Sequence, residues 1–88
     1  MEIQLKLYGS SKLLSEKEKL SIQLPENSNI KQLRNSLDKI ISEKHSKSNL
    51  GKLSKTATFF SENDEVINDN YKLKDKELIS IIPPIGGG

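Results

Sequence analysis

One stretch of this sequence has a helical period, and the runs around it have a strand period. Ile30, Leu33, Leu37, Ile40 and Ile41 fall at i, i+3, i+7, i+10 and i+11, a single apolar stripe that predicts an amphipathic helix over about residues 30–44. Lys31, Arg34, Asn35, Asp38 and Lys39 take the other face. Asn29 followed by Gln32 reads as a capping box at its start, because an Asn side chain accepts from the backbone N–H three residues on. A lone amphipathic helix has to bury its stripe against another layer, and the rest of the chain supplies a sheet.

Ile3, Leu5 and Leu7 alternate with Glu2, Gln4 and Lys6, the pattern of a half-buried strand. The chain turns at Gly9-Ser10-Ser11, Leu20, Ile22 and Leu24 repeat the alternation, and Pro25 ends it. These two runs predict an antiparallel pair. His45 to Lys55 is polar and punctuated by Ser, Asn and Gly, which predicts a long loop. The basic residues of the Lys44–Lys55 stretch, Lys44, His45, Lys47, Lys52 and Lys55, read as a solvated segment. Thr56 to Phe60 is β-branched and aromatic, a third strand. Val66-Ile67 is a short edge strand between the turns Asn63-Asp64 and Asn68-Asp69-Asn70. Leu78 to Ile82 is the last strand, reached through Lys74-Asp75-Lys76. In it Ile79 and Ile81 share the core face, and Leu78, Ser80 and Ile82 share a more exposed face marked by Ser80. The order β-β-α-β-(β)-β predicts an α+β protein of the β-grasp, ubiquitin-like roll type. We expect a mixed sheet of four to five strands, one main helix packed on one face, and a domain spanning residues 1–82.

Composition removes several kinds of chemistry. Net charge is +2, from 14 Lys and Arg against 12 Asp and Glu, and Arg34 is the only guanidinium. No concentrated basic face for a nucleic-acid backbone is expected. There is no cysteine, which excludes thiolate metal sites and a Cys nucleophile, and only one histidine, His45, so neither a His-based triad nor a metal site is expected. No run approaches the roughly 18 apolar residues of a membrane span. Met1-Glu2 opens straight into a strand with no signal-peptide pattern, so a cytoplasmic protein is expected. A phosphate-cradling G-x-x-x-x-G-K-[ST] loop is also missing.

What remains is the end of the chain, Pro83-Pro84-Ile85-Gly86-Gly87-Gly88. Three glycines bring nothing to pack, ionise or bind a metal, and they lose the most backbone freedom on ordering. Such a segment offers a carboxylate on a thin thread that spans roughly 20 Å when extended. Residues 83–88 therefore read as a functional tail, with the main-chain carboxylate of Gly88 as its reactive group.

With those residues in hand, the chain resembles the small, sulfur-carrier subunit of molybdopterin synthase, a ubiquitin-like family, over essentially its whole length. The resemblance rests on Pro83-Pro84-Ile85-Gly86-Gly87-Gly88, on Asp75-Lys76-Glu77 leading into Leu78–Ile82, on Leu33-Arg34 one turn into the helix, and on Tyr8-Gly9. It departs at Lys12-Leu13, where many relatives carry Arg-Glu, and at Lys76, where many carry Gly and positive φ is less welcome on a lysine.

This resemblance implies a protein that is not catalytic alone but is the sulfur-donating subunit of a heteromeric sulfurtransferase. A partner enzyme related to ubiquitin-activating enzymes adenylates Gly88 with ATP, and a sulfur donor protein converts the adenylate to a thiocarboxylate. The tail Pro83, Pro84, Ile85, Gly86, Gly87 then enters the active site of the large catalytic subunit and delivers sulfur to cyclic pyranopterin monophosphate, in molybdenum cofactor biosynthesis. No cofactor is expected on this chain itself. Ile82 and Val66 are the candidate apolar contacts with a partner. Three alternatives stay open: the sulfur carrier of thiamin thiazole synthesis, which usually lacks the Pro-Pro, a ubiquitin-like modifier conjugated through Gly88, and an inert β-grasp interaction module with an incidental Gly tail.

Overall fold

The alternation along Glu2–Leu7 forms strand β1, which buries Ile3, Leu5 and Leu7 and leaves Glu2, Gln4 and Lys6 half-buried on the opposite face. The computed structural model describes residues 1–15, 17–44 and 52–83. β2 (Lys19–Gln23), β3 (Thr58–Phe60), β4 (Val66–Ile67) and β5 (Glu77–Ile82) complete one five-stranded sheet in the order β2-β1-β5-β3-β4. β1 runs antiparallel to β2 and parallel to β5, while β3 is antiparallel to both β5 and β4. The sheet is therefore mixed, and its last strand is its central one.

Helix α1 (Ile30–Lys44) lays Ile30, Leu33, Leu37 and Ile41 on the sheet, where they meet Ile3, Leu5, Phe59, Ile79 and Ile81 in one core. The expected capping box is present: Asn29 N–H donates to Gln32 Oε1 at 2.7 Å and Gln32 N–H donates to Asn29 Oδ1 at 3.1 Å. The two other unpaired donors of the first turn are used as well. Ile30 N–H reaches the Tyr71 carbonyl at 3.1 Å and Lys31 N–H reaches that of Asp69 at 3.2 Å, so the helix start is sewn to the segment between β4 and β5.

Three expectations need correction. The turn at Gly9-Ser10-Ser11 is the start of a 3-10 helix, Gly9–Leu14, that buries Ser11 and Leu14. The loop expected over His45–Lys55 gives way at its end to a short helix α2 (Leu53–Thr56), with residues 45–51 outside those described. β3 accordingly begins at Thr58 rather than Thr56. Burial of Leu53, Ser54 and Ala57 against α1 overrides the strand preference of Thr56. Thr56 instead turns its hydroxyl back to donate to the Lys52 carbonyl at 2.7 Å.

The third correction concerns Arg34, assigned to the solvated face of α1. Its Nη1 donates to the carbonyls of Ser54 at 3.1 Å and Ala57 at 2.7 Å, and its Nε donates to Asp69 Oδ1 at 3.0 Å. The guanidinium also lies 4.7 Å from the centre of the Phe59 ring. Asp38, on the same flank, accepts from Ser54 Oγ at 3.1 Å. This side of the helix is the seam that holds α2. Among the described residues no helix is long and apolar enough to cross a membrane, and no group of three His, Cys, Asp or Glu side chains is placed to hold a metal.

Candidate functional site

β5 carries the chain toward its C-terminal end, and its alternation is the expected one. Ile79 and Ile81 are fully buried, whereas Leu78, Ser80 and Ile82 are half-buried on the sheet face turned away from α1. The strand stops at Ile82, and Pro83 follows, half-buried, as the last described residue. Pro84, Ile85, Gly86, Gly87 and Gly88, the rest of the expected tail, lie outside the described residues.

The strand register shows what surrounds that exit. Lys19 pairs with Lys6, Lys6 with Ser80, Ser80 with Phe60, and Phe60 with Val66. Directly paired residues share a face, so one row crosses all five strands on the outer surface. Thr58 pairs with Ile82 in the adjoining row. Ile82 and Val66 are thus on the same outer face, as their candidacy requires, but Phe60 stands between them. Val66 is the most exposed large apolar side chain described, at 69%, and Tyr8 at the end of β1 follows at 37%. Leu78, Phe60, Ile82, Val66 and Tyr8 are the apolar residues of this face, interrupted by Ser80 and Thr58 and bordered on the β1–β2 side by Gln4, Lys6, Lys19 and Ser21. A side-chain hydrogen bond with Tyr8 is the first cause that raises the Lys6 pKa above its usual value, and Lys6 Nζ sits 5.4 Å from the Tyr8 ring centre. The ammonium stays charged at any physiological pH.

Sequence reasoning missed Phe60. The signal was present, because two adjacent aromatics in a strand cannot both face the core: Phe59 is fully buried and Phe60 takes the outside. It also missed what lies under the tail's first proline. A methyl built on Gly9, whose φ is +56°, would touch Cδ and Cγ of Pro83 at 3.7 Å. The loop holding Gly9 is fixed by Ser11, whose Oγ accepts from Tyr8 N–H at 2.8 Å and donates to the Tyr8 carbonyl.

The turn feeding β5 is anchored on β1. Glu2 N–H donates to Asp75 Oδ1 at 2.8 Å, and Lys76 N–H donates to the Glu2 carbonyl at 2.6 Å. Lys76 adopts a φ of 64°, the left-handed conformation that its departure to lysine made questionable. The sheet's far edge has a depression of about 390 Å³ lined by Ser61, Glu65, Val66, Ile67, Asn68, Asn70 and Tyr71. It is built on β4 rather than at the end of β5. The described part of the chain thus presents a sheet face with apolar residues on β3, β4 and β5, and a strand end.

Known proteins share this arrangement. The ThiS family model matches residues 5–88. A chain of the complex of subunits 1 and 2 of molybdopterin-converting factor from Helicobacter pylori is 29% identical over 100% of both chains, with a TM-score of 0.61. SAMP1 from Haloferax volcanii is 13% identical over 100% of both chains and superposes with a TM-score of 0.70. A Pyrococcus furiosus protein provisionally named molybdopterin converting factor subunit 1 is 15% identical, over 96% of this chain and 98% of its own, with a TM-score of 0.69. The latter two likenesses establish the β-grasp fold. No curated protein sequence matches the chain. With the family match running from β1 through the glycine end, the chain belongs to the ThiS family, the ubiquitin-like sulfur carriers.

Proposed function

We propose that this protein is the sulfur-carrier subunit of a molybdopterin synthase. The observation that carries the reading is the 29% identity over the whole of both chains with a chain of the Helicobacter pylori complex. Residues 1–82 are the body that partners recognise, and residues 83–88 are the tail that reacts.

The chemistry follows from the terminal carboxylate. A carboxylate is a poor electrophile, so one oxygen of Gly88 attacks the α-phosphate of ATP and pyrophosphate leaves. A sulfur nucleophile delivered by a donor protein then adds to the carbonyl carbon, AMP departs with that oxygen, and a thiocarboxylate remains. Its sulfur bonds to a carbon of cyclic pyranopterin monophosphate in a large catalytic subunit, displacing an oxygen substituent, and water then cleaves the acyl–sulfur bond, leaving the sulfur on the pterin and a carboxylate on the tail. ATP is held by the adenylating partner. The chain lacks a phosphate-binding loop, and its one guanidinium, Arg34, is engaged with Ser54, Ala57 and Asp69.

Threading six residues into a partner costs about 6–12 kcal/mol of backbone entropy, lowered where Pro83 and Pro84 already fix φ. The apolar face beside the exit offsets that cost. Ile82, Phe60 and Val66 are its contacts, each able to contribute on the order of 1–3 kcal/mol when fully covered.

The test is reconstitution with an activating enzyme, ATP, a sulfur source and the large subunit. The expected products are a Gly88 adenylate, then a protein whose mass shows one oxygen replaced by sulfur, then sulfurated pterin. Deleting Gly88 removes all three while leaving the thermal midpoint within the small range of surface changes. Sulfur transfer to a thiazole-forming system, or a ladder of Gly88 conjugates without thiocarboxylate, assigns the chain to thiamin synthesis or to protein modification instead.

A further inference from the structure

The sheet ends at β4, and only one edge of that strand is paired. Asp64 N–H donates to the Ser61 carbonyl at 3.0 Å, and Ser61 N–H donates to the Glu65 carbonyl at 2.8 Å. With Asp64 at a φ of 62°, these bonds make a type I turn followed by a one-residue bulge. Ser61 Oγ accepts from the N–H groups of Asn63 and Glu65, each at 3.2 Å, and pins the tip. The turn sets the phase of the ladder behind it. Ser61 and Glu65 are bonded, so Phe60 and Val66 form a non-hydrogen-bonded pair and Phe59 and Ile67 are bonded again. The N–H and C=O of Val66 therefore point away from β3, toward the free edge, and no described residue takes either group. Val66 is 69% exposed. The depression beside it runs from Ser61 and Glu65 to Asn68, Asn70 and Tyr71. Its surroundings are acidic: residues 61–71 include Glu62, Asp64, Glu65 and Asp69 and no Lys, Arg or His. Arg34 engages Asp69, while the other three carboxylates pair with no described cation.

We infer that the free edge of β4 receives an extended, basic segment of a partner protein, which adds a sixth strand to the sheet. Val66 N–H donates to that segment and the Val66 carbonyl accepts from it, the two main-chain bonds of strand addition. The residue opposite Val66 shares its outer face. The residues on either side of it point to the face of Glu65 and Ile67, where lysine or arginine side chains meet the depression and its carboxylates. Charge complementarity sets the occupant, because an acidic segment is repelled by Glu62, Asp64 and Glu65. A two-residue strand gives few main-chain bonds, so pairing with arbitrary edges is weak and selection falls to those side chains. The site uses no residue of the tail, and it stands or falls apart from the sulfur-carrier reading.

The probe is the blocked peptide acetyl-Thr-Lys-Val-Lys-Thr-amide, titrated into the full-length protein at low salt and followed by amide NMR and hydrogen exchange. In the free protein the Val66 amide is expected to exchange at least about 10-fold faster than that of Ile67, which faces β3. The peptide is expected to shift the Val66 amide and slow its exchange. A counterpart with both lysines replaced by glutamate should bind about 10-fold more weakly or worse. Methylating the nitrogen of the central valine, which removes the donor aimed at the Val66 carbonyl, should cost about 5-fold or more. Val66→Pro removes the outward N–H without touching a ladder bond and is tolerated at such edge positions; it should weaken binding by a similar factor with little change in thermal midpoint. If Val66→Pro does not fold, the exchange measurement on the unsubstituted protein decides alone. A Val66 amide that neither shifts nor gains protection at millimolar lysine peptide overturns the inference, as does equal binding of the glutamate peptide. A Val66 amide already protected in a protein that sediments as a dimer also overturns it, and assigns the edge to a second copy of the chain.

Discussion

Replacing Arg34 by alanine tests whether the helix flank is a structural seam or a solvated face. The side chain donates to the carbonyls of Ser54 and Ala57, residues that are 1% and 2% exposed. A hydrogen bond from a charged donor contributes about 1.5–3 kcal/mol, and a buried carbonyl left without a partner costs about 1–3 kcal/mol. The pair with Asp69, whose side chain is 57% exposed, adds only about 0.2–1 kcal/mol. Stacking on Phe59 adds roughly 0.5–1 kcal/mol. These terms describe one coupled unit and do not sum, so the expected loss is about 3–4 kcal/mol. For a domain of this size that lowers the thermal midpoint by about 15–25 °C. Arg34→Lys is expected to fall between, since a single ammonium cannot satisfy two carbonyls and an aromatic face together. Circular dichroism melts with urea titrations measure the loss. Hydrogen exchange should localise it to the amides of Thr56 and Ala57, which close α2 on Lys52 and Leu53. An Arg34→Ala protein within about 0.5 kcal/mol of the parent, the range of ordinary surface changes, refutes the reasoning.

Neighbouring residues of β5 should have opposite fates. Ile81→Asp is expected to unfold the domain by putting a charge among Leu7, Phe59 and the core, while Ile82→Asp should stay folded and weaken partner binding by about 1–3 kcal/mol. Calorimetric titrations beside thermal melts check the pair, and normal binding by Ile82→Asp removes the outer face from the docking surface. Lys76→Gly is expected to leave stability unchanged or raise it by up to about 1 kcal/mol, because it relieves a left-handed φ at an entropic cost to folding; a clear loss in urea titrations argues against that strain. The Tyr71 hydroxyl donates to Glu77, and that bond, then burial, raises its pKa above the usual value of 10.0. A raised folded-state pKa stabilises the protonated form, so the contribution is present below pH 10 and is lost as pH rises through the folded value. The stability gap between the parent and Tyr71→Phe should therefore shrink in alkaline urea titrations, and a gap that widens there contradicts this sign.

The features legible in the sequence were those with local periodicity. The stripe Ile30–Ile41, the reciprocal pair Asn29 and Gln32, and the alternation in β1 and β5 each carry their own pattern within a dozen residues. The illegible features depend on residues distant in the chain. Arg34 looks like any lysine-side residue of an amphipathic helix until α2 brings two carbonyls beside it. α2 has the composition of a loop and is helical because Leu53 and Ala57 have a core to enter. Of the candidate site, the alternation placed Ile82 on the outer face, but its relation to Phe60 and Val66 required the register of three strands. The nearness of Gly9 to Pro83 required the first loop and the end of the last strand to meet.

The pairing of β1 with β5 has a consequence for the protein's biogenesis. Ile3 lies beside Glu77 and Leu7 beside Ile81, so the middle of the sheet joins the earliest and latest parts of the body to be synthesised. Such distant contacts slow folding, because the intervening chain has to be ordered before they form. During translation, β1 and β2 emerge as a hairpin with no third strand beside β1, and an isolated hairpin is marginal in water. A nascent or clipped chain ending before Glu77 lacks the strand that joins β1 to β3, exposes both as open edges, and is a substrate for chaperones and proteases. A partner able to recognise only the folded outer face would therefore meet only molecules in which β5 has been made and docked between β1 and β3.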